Sequence, residues 1–405
     1  MYLLLAWRNI WRNRRRTLIT LASVAFAVFF ACMMQSMHTA AWGNLIDNAV
    51  RFYTGYIQVH QQGYWNDKTL DNSFENQSAL QKKIAGTPHI VTVVPRLESF
   101  ALASGTDRTK GTLVVGIEPE KEDGLTNLRT KMQAGNYLKT GEKKVLLAEG
   151  LAHFLKLAPE DTIVLISQGY HGANAAGKYE VAGIVKFPSP QLNDQVVYLP
   201  LAEAQWLYDT GNRITSLSLL VDDPEKVETI TQSLQQDLNK THFEVMSWQD
   251  MMPELVQSFE IDRLGGQIIL FILYAVIGFG IFGTFLMMTT ERRYEMGVMI
   301  AIGMPRLKLQ AVMSLEIIML ALGGTLLGVL LSLPVIFYLH YNPIPVTGNL
   351  AELYQNYGME PVIPFSRKAA IFLRQAYIVA IITSALGIYP IWFIQRLIPV
   401  TALRN

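Results

Sequence analysis

The sequence predicts a membrane protein of four transmembrane helices, with a large α+β extracytoplasmic domain inserted between helices one and two. Three observations predict it: an uncharged apolar run near the start, more than two hundred residues of mixed soluble sequence after it, and three further apolar runs in the last third. Half of the 405 residues are hydrophobic and 17% are charged, which suits a chain that is part membrane and part soluble.

Leu18 to Met37 gives twenty residues without a charge and Leu264 to Thr290 gives twenty-seven, each long enough for the hydrocarbon layer of ~30 Å. Gln310 to Leu339 is broken only by Glu316, and Ala376 to Ile394 has no charge. The resulting division is an interfacial helix at 1–16, helix one at 17–40, an outer α+β domain of two subdomains at 41–262 and helix two at 263–290. A cytoplasmic connection follows at 291–308, then helix three at 309–340, an outer loop at 341–367, helix four at 368–395 and a cytoplasmic tail at 396–405.

Charge sets the orientation. Arg8, Arg12, Arg14, Arg15 and Arg16 precede helix one, Arg292, Arg293, Arg306 and Lys308 lie between helices two and three, and Arg396 and Arg404 follow helix four. Tyr341 to Ser366 has no Lys or Arg, so both termini and the 291–308 connection are expected in the cytoplasm. Arg367, Lys368 and Arg374 run against this rule at the outer end of helix four, where either snorkelling or an anionic partner would accommodate them. The arginine-rich start and Phe29-Phe30-Ala31-Cys32 are faintly like a lipoprotein signal, but the span is long and the residues before Cys32 are bulky, so a retained helix is expected. Cys32 is the only cysteine, which leaves the outer domain to its hydrophobic core without disulfides.

In the outer domain, runs rich in Val, Ile, Tyr and Thr predict strands at Gly55–His60, Ile90–Val94, Gly111–Ile117, Thr162–Ser167, Tyr179–Lys186, Gln195–Leu199, Ser216–Val221 and Phe243–Met246. Apolar spacing of three and four predicts helices at Ser78–Ala85, Ala148–Leu157, Leu201–Tyr208 and Pro224–Lys240. Gly172 to Lys178 has the glycine and lysine spacing of a phosphate loop, but Tyr179 stands where Ser or Thr would hold magnesium and a strand follows, so a Gly/Ala hairpin tip exposing Tyr170 and His171 is expected instead. The seven histidines lack ligand spacing, and no motif points to a metal, to nucleic acid or to catalysis.

The segment from Glu291 to Arg306 is charged first and apolar later, which predicts a short helix ended by Gly303 and stopped by Pro305. Val298, Met299, Ile300 and Ile302 are too apolar for a solvated turn and call for a cover of membrane or protein, and Gly297 would allow a close backbone approach. Trp7, Ile10 and Trp11 share one face of an amphipathic helix. Glu316, alone in helix three, reads as a structural ion-pair partner rather than a proton relay.

Three stretches resemble the permeases of the FtsX/MacB/lipoprotein-release superfamily of ABC transporters: Ala6 to Leu18; Glu291 to Gly303 together with Leu315-Glu316, Gly323-Gly324 and Gly328; and Tyr389-Pro390 to Arg404. The chain departs from many members in having Met296 and Val298 in place of Ile. The resemblance implies a non-enzymatic subunit of a bacterial inner membrane transporter with a periplasmic outer domain and no cofactor of its own. ATP and Mg would be bound by a separate cytoplasmic ABC ATPase dimer, and a second permease copy or a paralogue would complete the assembly among membrane lipid. It further implies that Glu291, Arg292, Arg293, Glu295, Met296, Gly297 and Met299 couple to the ATPase. For the lipoprotein-releasing members it implies a hairpin gripping a periplasmic carrier protein, here at Gln168, Tyr170, His171 and Lys178, and a substrate-lining surface from Met33, Met34, Met37, Gln267 and Phe271. A MacB-like efflux permease and an FtsX-like transmitter controlling a cell-wall hydrolase are the alternatives.

Overall fold

The computed structural model describes residues 2–50, 54–187, 189–238, 242–356 and 361–398. The expected tail from Pro399 to Arg404 and the end of the expected helix at Lys240 lie outside them. The chain forms two compact units, one of residues 1–43, 258–345 and 362–405 and one of residues 44–257 and 346–361.

Among the described residues, four helical segments are long and apolar enough to cross a membrane. Span one is Arg14–Ala49, span two Pro253–Glu291 and span three Arg306–Tyr341. Spans one and two, with 36 and 39 residues, run past the expected limits at residues 40 and 263. At ~1.5 Å per residue they exceed 50 Å, well beyond a hydrocarbon layer of ~30 Å, because polar residues such as Asn44 and Glu260 continue a helix once it leaves lipid. Span four is Ala369–Leu386 followed by Ile388–Arg396. It breaks at Gly387 because Pro390 has no N–H for the carbonyl one turn back.

Spans one and three approach closely. A Cβ added at Gly324 would stand 2.5 Å from the Cβ of Val24, and one at Gly328 would stand 2.6 Å from the Ala25 carbonyl and 2.7 Å from the Cβ of Val28. Small residues four apart on one helix face bring two backbones together without a hydrophobic driving force, which lipid cannot supply. Val24, Ala27 and Val28 are fully buried there.

The second unit is built on a ten-stranded mixed sheet. Its strands, with one minor pair, are β1 (Ile57–Gln61), β2 (Phe74–Glu75), β3 (Ile90–Ser104), β4 (Thr109–Ile117), β5 (Met132–Gly135), β6 (Lys144–Ala148), β7 (Thr162–Gln168), β8 (Asn174–Val185), β9 (Val196–Pro200), β10 (Arg213–Ile214), β11 (Ser216–Val221) and β12 (Phe243–Ser247). The order is β12-β1-β11-β3-β4-β9-β6-β8-β5, with β7 bridging β3 and β8, and β2 pairs β10 apart from it. The β4–β9 and β6–β8 pairs are parallel, so the domain expected as α+β is a mixed α/β one. One hydrophobic cluster runs from Ile57 to Met251 through the region expected to hold two subdomains.

The helices Ser78–Ala85, Glu149–Leu155, Leu201–Leu207 and Val227–Asp237 stand where periodicity placed them. Strand β3 is three times the expected length. It passes through Arg96, fully buried against Glu122 on the helix Pro119–Thr126, with Nε to Oε2 at 3.0 Å and Nη2 to Oε1 at 2.6 Å. Burial alone would lower the Arg96 pKa, but the Glu122 carboxylate more than offsets it and the net shift is upward, keeping the guanidinium charged.

Candidate functional site

The expected short helix between spans two and three is present as Arg293–Ala301. Gly303 ends it with φ of 99°. The Gly303 N–H donates to the Ile300 carbonyl and the Met304 N–H to the Met299 carbonyl, each at 3.0 Å, which is a Schellman cap that a left-handed glycine makes easily. Pro305 then starts span three.

This helix is fixed at its first turn. The Arg292 side chain is 9% exposed and that of Glu316 1%, with Nη1 donating to Oε2 at 2.6 Å. The second guanidinium nitrogen, Nη2, donates to the Asn9 carbonyl at 3.1 Å, on the N-terminal helix Tyr2–Arg12. Glu316 therefore has the ion-pair partner that its burial demands, and Arg292 joins three elements instead of facing solvent. Arg12 pairs with Glu295, and Arg16 Nη1 lies 3.6 Å from Glu291. Arg306 donates to the carbonyls of Gln395 at 2.9 Å and Leu397 at 3.0 Å, satisfying backbone groups left open at the end of span four. Arg293 is only partly exposed and enters no ion pair among the described residues.

The chain itself covers part of this helix. Met296 and Gly297 are buried, and Met296 packs in a cluster with Leu309, Met313, Ile394 and Leu397. Met299 and Ile300 pack partly against that cluster. Ile302, 80% exposed, and Tyr294 remain open. The N-terminal helix buries Ala6 and Ile10, whereas Trp7 and Trp11 are exposed and meet edge to face at 5.8 Å. Between this helix, the Arg293–Ala301 helix and span three lies a cavity of about 460 Å³ lined by Leu5, Asn9, Glu295, Val298 and Met313 among others.

The 168–178 segment is shorter as a loop than expected. Strands β7 and β8 pair out to Gln168 opposite Asn174, so Lys178 is an exposed strand residue opposite Val164 and the tip is only Gly169 to Ala173. The tip is tied down: the Tyr170 N–H donates to the Tyr208 carbonyl at 2.8 Å and the His171 N–H to Asp71 at 3.2 Å. Tyr170 is half-buried, 5.2 Å from the Arg213 guanidinium, so of the aromatic pair only His171 is exposed as expected. The sequence reading missed the neighbouring surface, where Phe100 and Leu102 of β3 and Ile166 of β7 are all exposed and Leu102 pairs with Ile166. Its signal was the alternation of Phe100 and Leu102 with Ala101 and Ala103, the period of a strand with one face out.

Of the expected substrate-lining set, Met34, Gln267 and Phe271 line one cavity of about 340 Å³ among spans one, two and four. Met33 packs partly into the membrane-unit core, and Met37 lies on the surface outside that cavity.

Comparison with known proteins adds the family. Residues 17–237 match the MacB-like periplasmic core domain, and residues 267–394 match the FtsX-like permease C-terminal region. The lipoprotein-releasing system transmembrane protein LolC of Neisseria meningitidis serogroup B is 21% identical over 77% of this chain and 75% of its own length. LolC of Xylella fastidiosa strain 9a5c is 23% identical over 78% of both, and the transmembrane protein LolE of Haemophilus influenzae is 22% identical over 63% of this chain and 62% of its own. Among solved structures, the periplasmic region of MacB from Actinobacillus actinomycetemcomitans aligns over 53% of this chain and 97% of its own, with 16% identity and a TM-score of 0.37. The first match covers span one and most of the outer domain, and the second covers the three closing spans. The chain belongs to the FtsX/MacB/LolC-LolE permease superfamily, multi-pass ABC-transporter permeases with a large extracytoplasmic domain that work with an ABC ATPase in multimeric complexes.

Proposed function

We propose that this permease extracts lipid-anchored proteins from the outer leaflet of a bacterial inner membrane and passes them to a soluble periplasmic carrier. The observation that carries the reading is the exposed apolar strip of Phe100, Leu102 and Ile166 beside the tied hairpin tip. Exposed apolar side chains on adjacent strands mark an interaction surface, and a carrier of acyl chains presents an apolar mouth that would match it. The relatives named for lipoprotein release, alike over about three quarters of the chain, support the same class.

In this reading a separate ATPase pushes on the Arg293–Ala301 helix through its open residues Tyr294, Glu295 and Ile302. The buried Arg292–Glu316 pair passes that push to span three, and the close Gly324–Gly328 contact passes it to span one. Spans one and two, both far longer than lipid requires, lead it outward. The match of the outer domain to a MacB-like core supports a second reading, efflux of drugs or peptides through a periplasmic adaptor.

Photocrosslinking in cells separates them. A probe at Phe100 or Ile166 is expected to capture a soluble periplasmic protein, and one at Met34 a lipoprotein, in both cases dependent on ATP turnover. Capture of an adaptor at Phe100 with no lipoprotein at Met34 would replace lipoprotein release with efflux.

A further inference from the structure

The cavity of about 340 Å³ among spans one, two and four has a polar end formed by His38, Arg263, Gln267, Arg374 and Gln375, with no Asp or Glu in its lining. Arg263 already has a counter-ion, its Nη2 lying 2.6 Å from Glu260, and His38 Nε2 lies 2.9 Å from Asp262. Arg374, five residues into the helix Ala369–Leu386, makes no ion pair among the described residues. The Arg374 side chain is exposed, at the end of the span where the charge pattern of the chain disfavours cations. The neighbouring amide is set for an acceptor, because the Tyr274 hydroxyl donates to Gln375 Oε1 and leaves Nε2 to donate. From the polar end the cavity wall continues into Leu270, Phe271 and Ile378, and Phe271 is 71% exposed.

We propose that this cavity binds the phosphate of a diacyl phospholipid from the outer leaflet, held by Arg374 and Gln375, with an acyl chain lying along Leu270 and Phe271. Guanidinium and phosphate match as two parallel charge-assisted hydrogen bonds, which an ammonium cannot reproduce. The apolar continuation of the wall favours a lipid over free phosphate. The site shares its cavity with Met34, Gln267 and Phe271 of the proposed cargo surface, but what Arg374 and Gln375 recognise is a headgroup phosphate and not a protein.

Native mass spectrometry of the full-length protein in detergent tests this, with phosphatidylglycerol, diacylglycerol of the same chains, and millimolar inorganic phosphate as probes. The wild type is expected to retain phosphatidylglycerol and not diacylglycerol. Arg374→Gln should cut retention roughly tenfold, the loss of one charged contact, and Arg374→Lys should fall between them. Equal retention of the two lipids, or no loss in Arg374→Gln with Arg374→Lys also unchanged, would overturn the proposal. Displacement of the lipid from wild type by inorganic phosphate would overturn it too, in favour of a free-phosphate site. None of these readouts depends on transport, so their failure leaves the lipoprotein reading untouched.

Discussion

Glu316→Ala is expected to lower the unfolding midpoint of the purified protein on the order of 10 °C, because removing one partner of a buried pair costs about 3–5 kcal/mol. The Arg292 guanidinium would be left in a site that is 9% exposed, with only the Asn9 carbonyl for company. Replacing both partners with apolar residues of similar length, Arg292→Met with Glu316→Leu, should restore most of the midpoint, since neither charge then needs a counter-ion. The comparison is made by thermal unfolding in detergent. If Glu316→Ala unfolds as the wild type does, the pair is not holding the helix Arg293–Ala301 to span three. If the double variant is as unstable as the single one, the charges contribute more than mutual compensation.

The second large effect lies at the contact of spans one and three. Gly324→Leu and Gly328→Leu would each force a side chain into space already filled by Val24, Val28 and the Ala25 carbonyl, the Cβ alone meeting atoms at 2.5–2.7 Å. Overpacking of this kind costs ~3 kcal/mol, and backbone on the far side cannot yield as a side chain can. Gly323 is the control, because a Cβ there would meet only the flexible tip of Leu21, at 3.2 Å. Disulfide trapping between cysteines introduced on spans one and three is expected to fail in the two leucine variants and to persist in Gly323→Ala. Trapping that persists in all three would show that the glycines are not setting the distance between the spans.

The membrane half of the fold was legible because lipid imposes a simple rule: a charge-free run of about twenty residues has one destination. Its interior contacts were not, since Arg292 and Glu316 are separated by a whole helix and a turn, and no local periodicity links them. Gly303 and Pro305 could be read because a helix stop is a local event. Strand β3 was cut short at Val94 because Pro95, Arg96 and Glu98 look like the end of a strand. The strand continues because Arg96 finds Glu122 in the core, a partner twenty-six residues away. Strand β5 and the start of β8 escaped for a related reason: their Gly and Ala residues carry little β signal, and pairing with neighbours decides them. The hairpin residues Gln168 to Lys178 read as a loop by composition, although all but the tip lies in the ladder. The site residues divided the same way. Met34, Gln267 and Phe271 come together in one cavity, whereas Met33 and Met37 do not line it because they point elsewhere around the same helix.

In the proposed function, ATP-driven motion enters through the helix Arg293–Ala301 and is spent on the outer domain. The Arg12–Glu295 pair allows the most direct test, since both side chains are about half exposed and a change there costs ~1 kcal/mol or less in stability. The measurement is ATP hydrolysis and lipoprotein release recorded side by side in proteoliposomes containing the permease, its ATPase and a soluble carrier. Glu295→Arg is expected to keep hydrolysis while losing release, and the swapped pair Arg12→Glu with Glu295→Arg to regain release. Release that stays proportional to hydrolysis in every variant would rule out coupling through this helix.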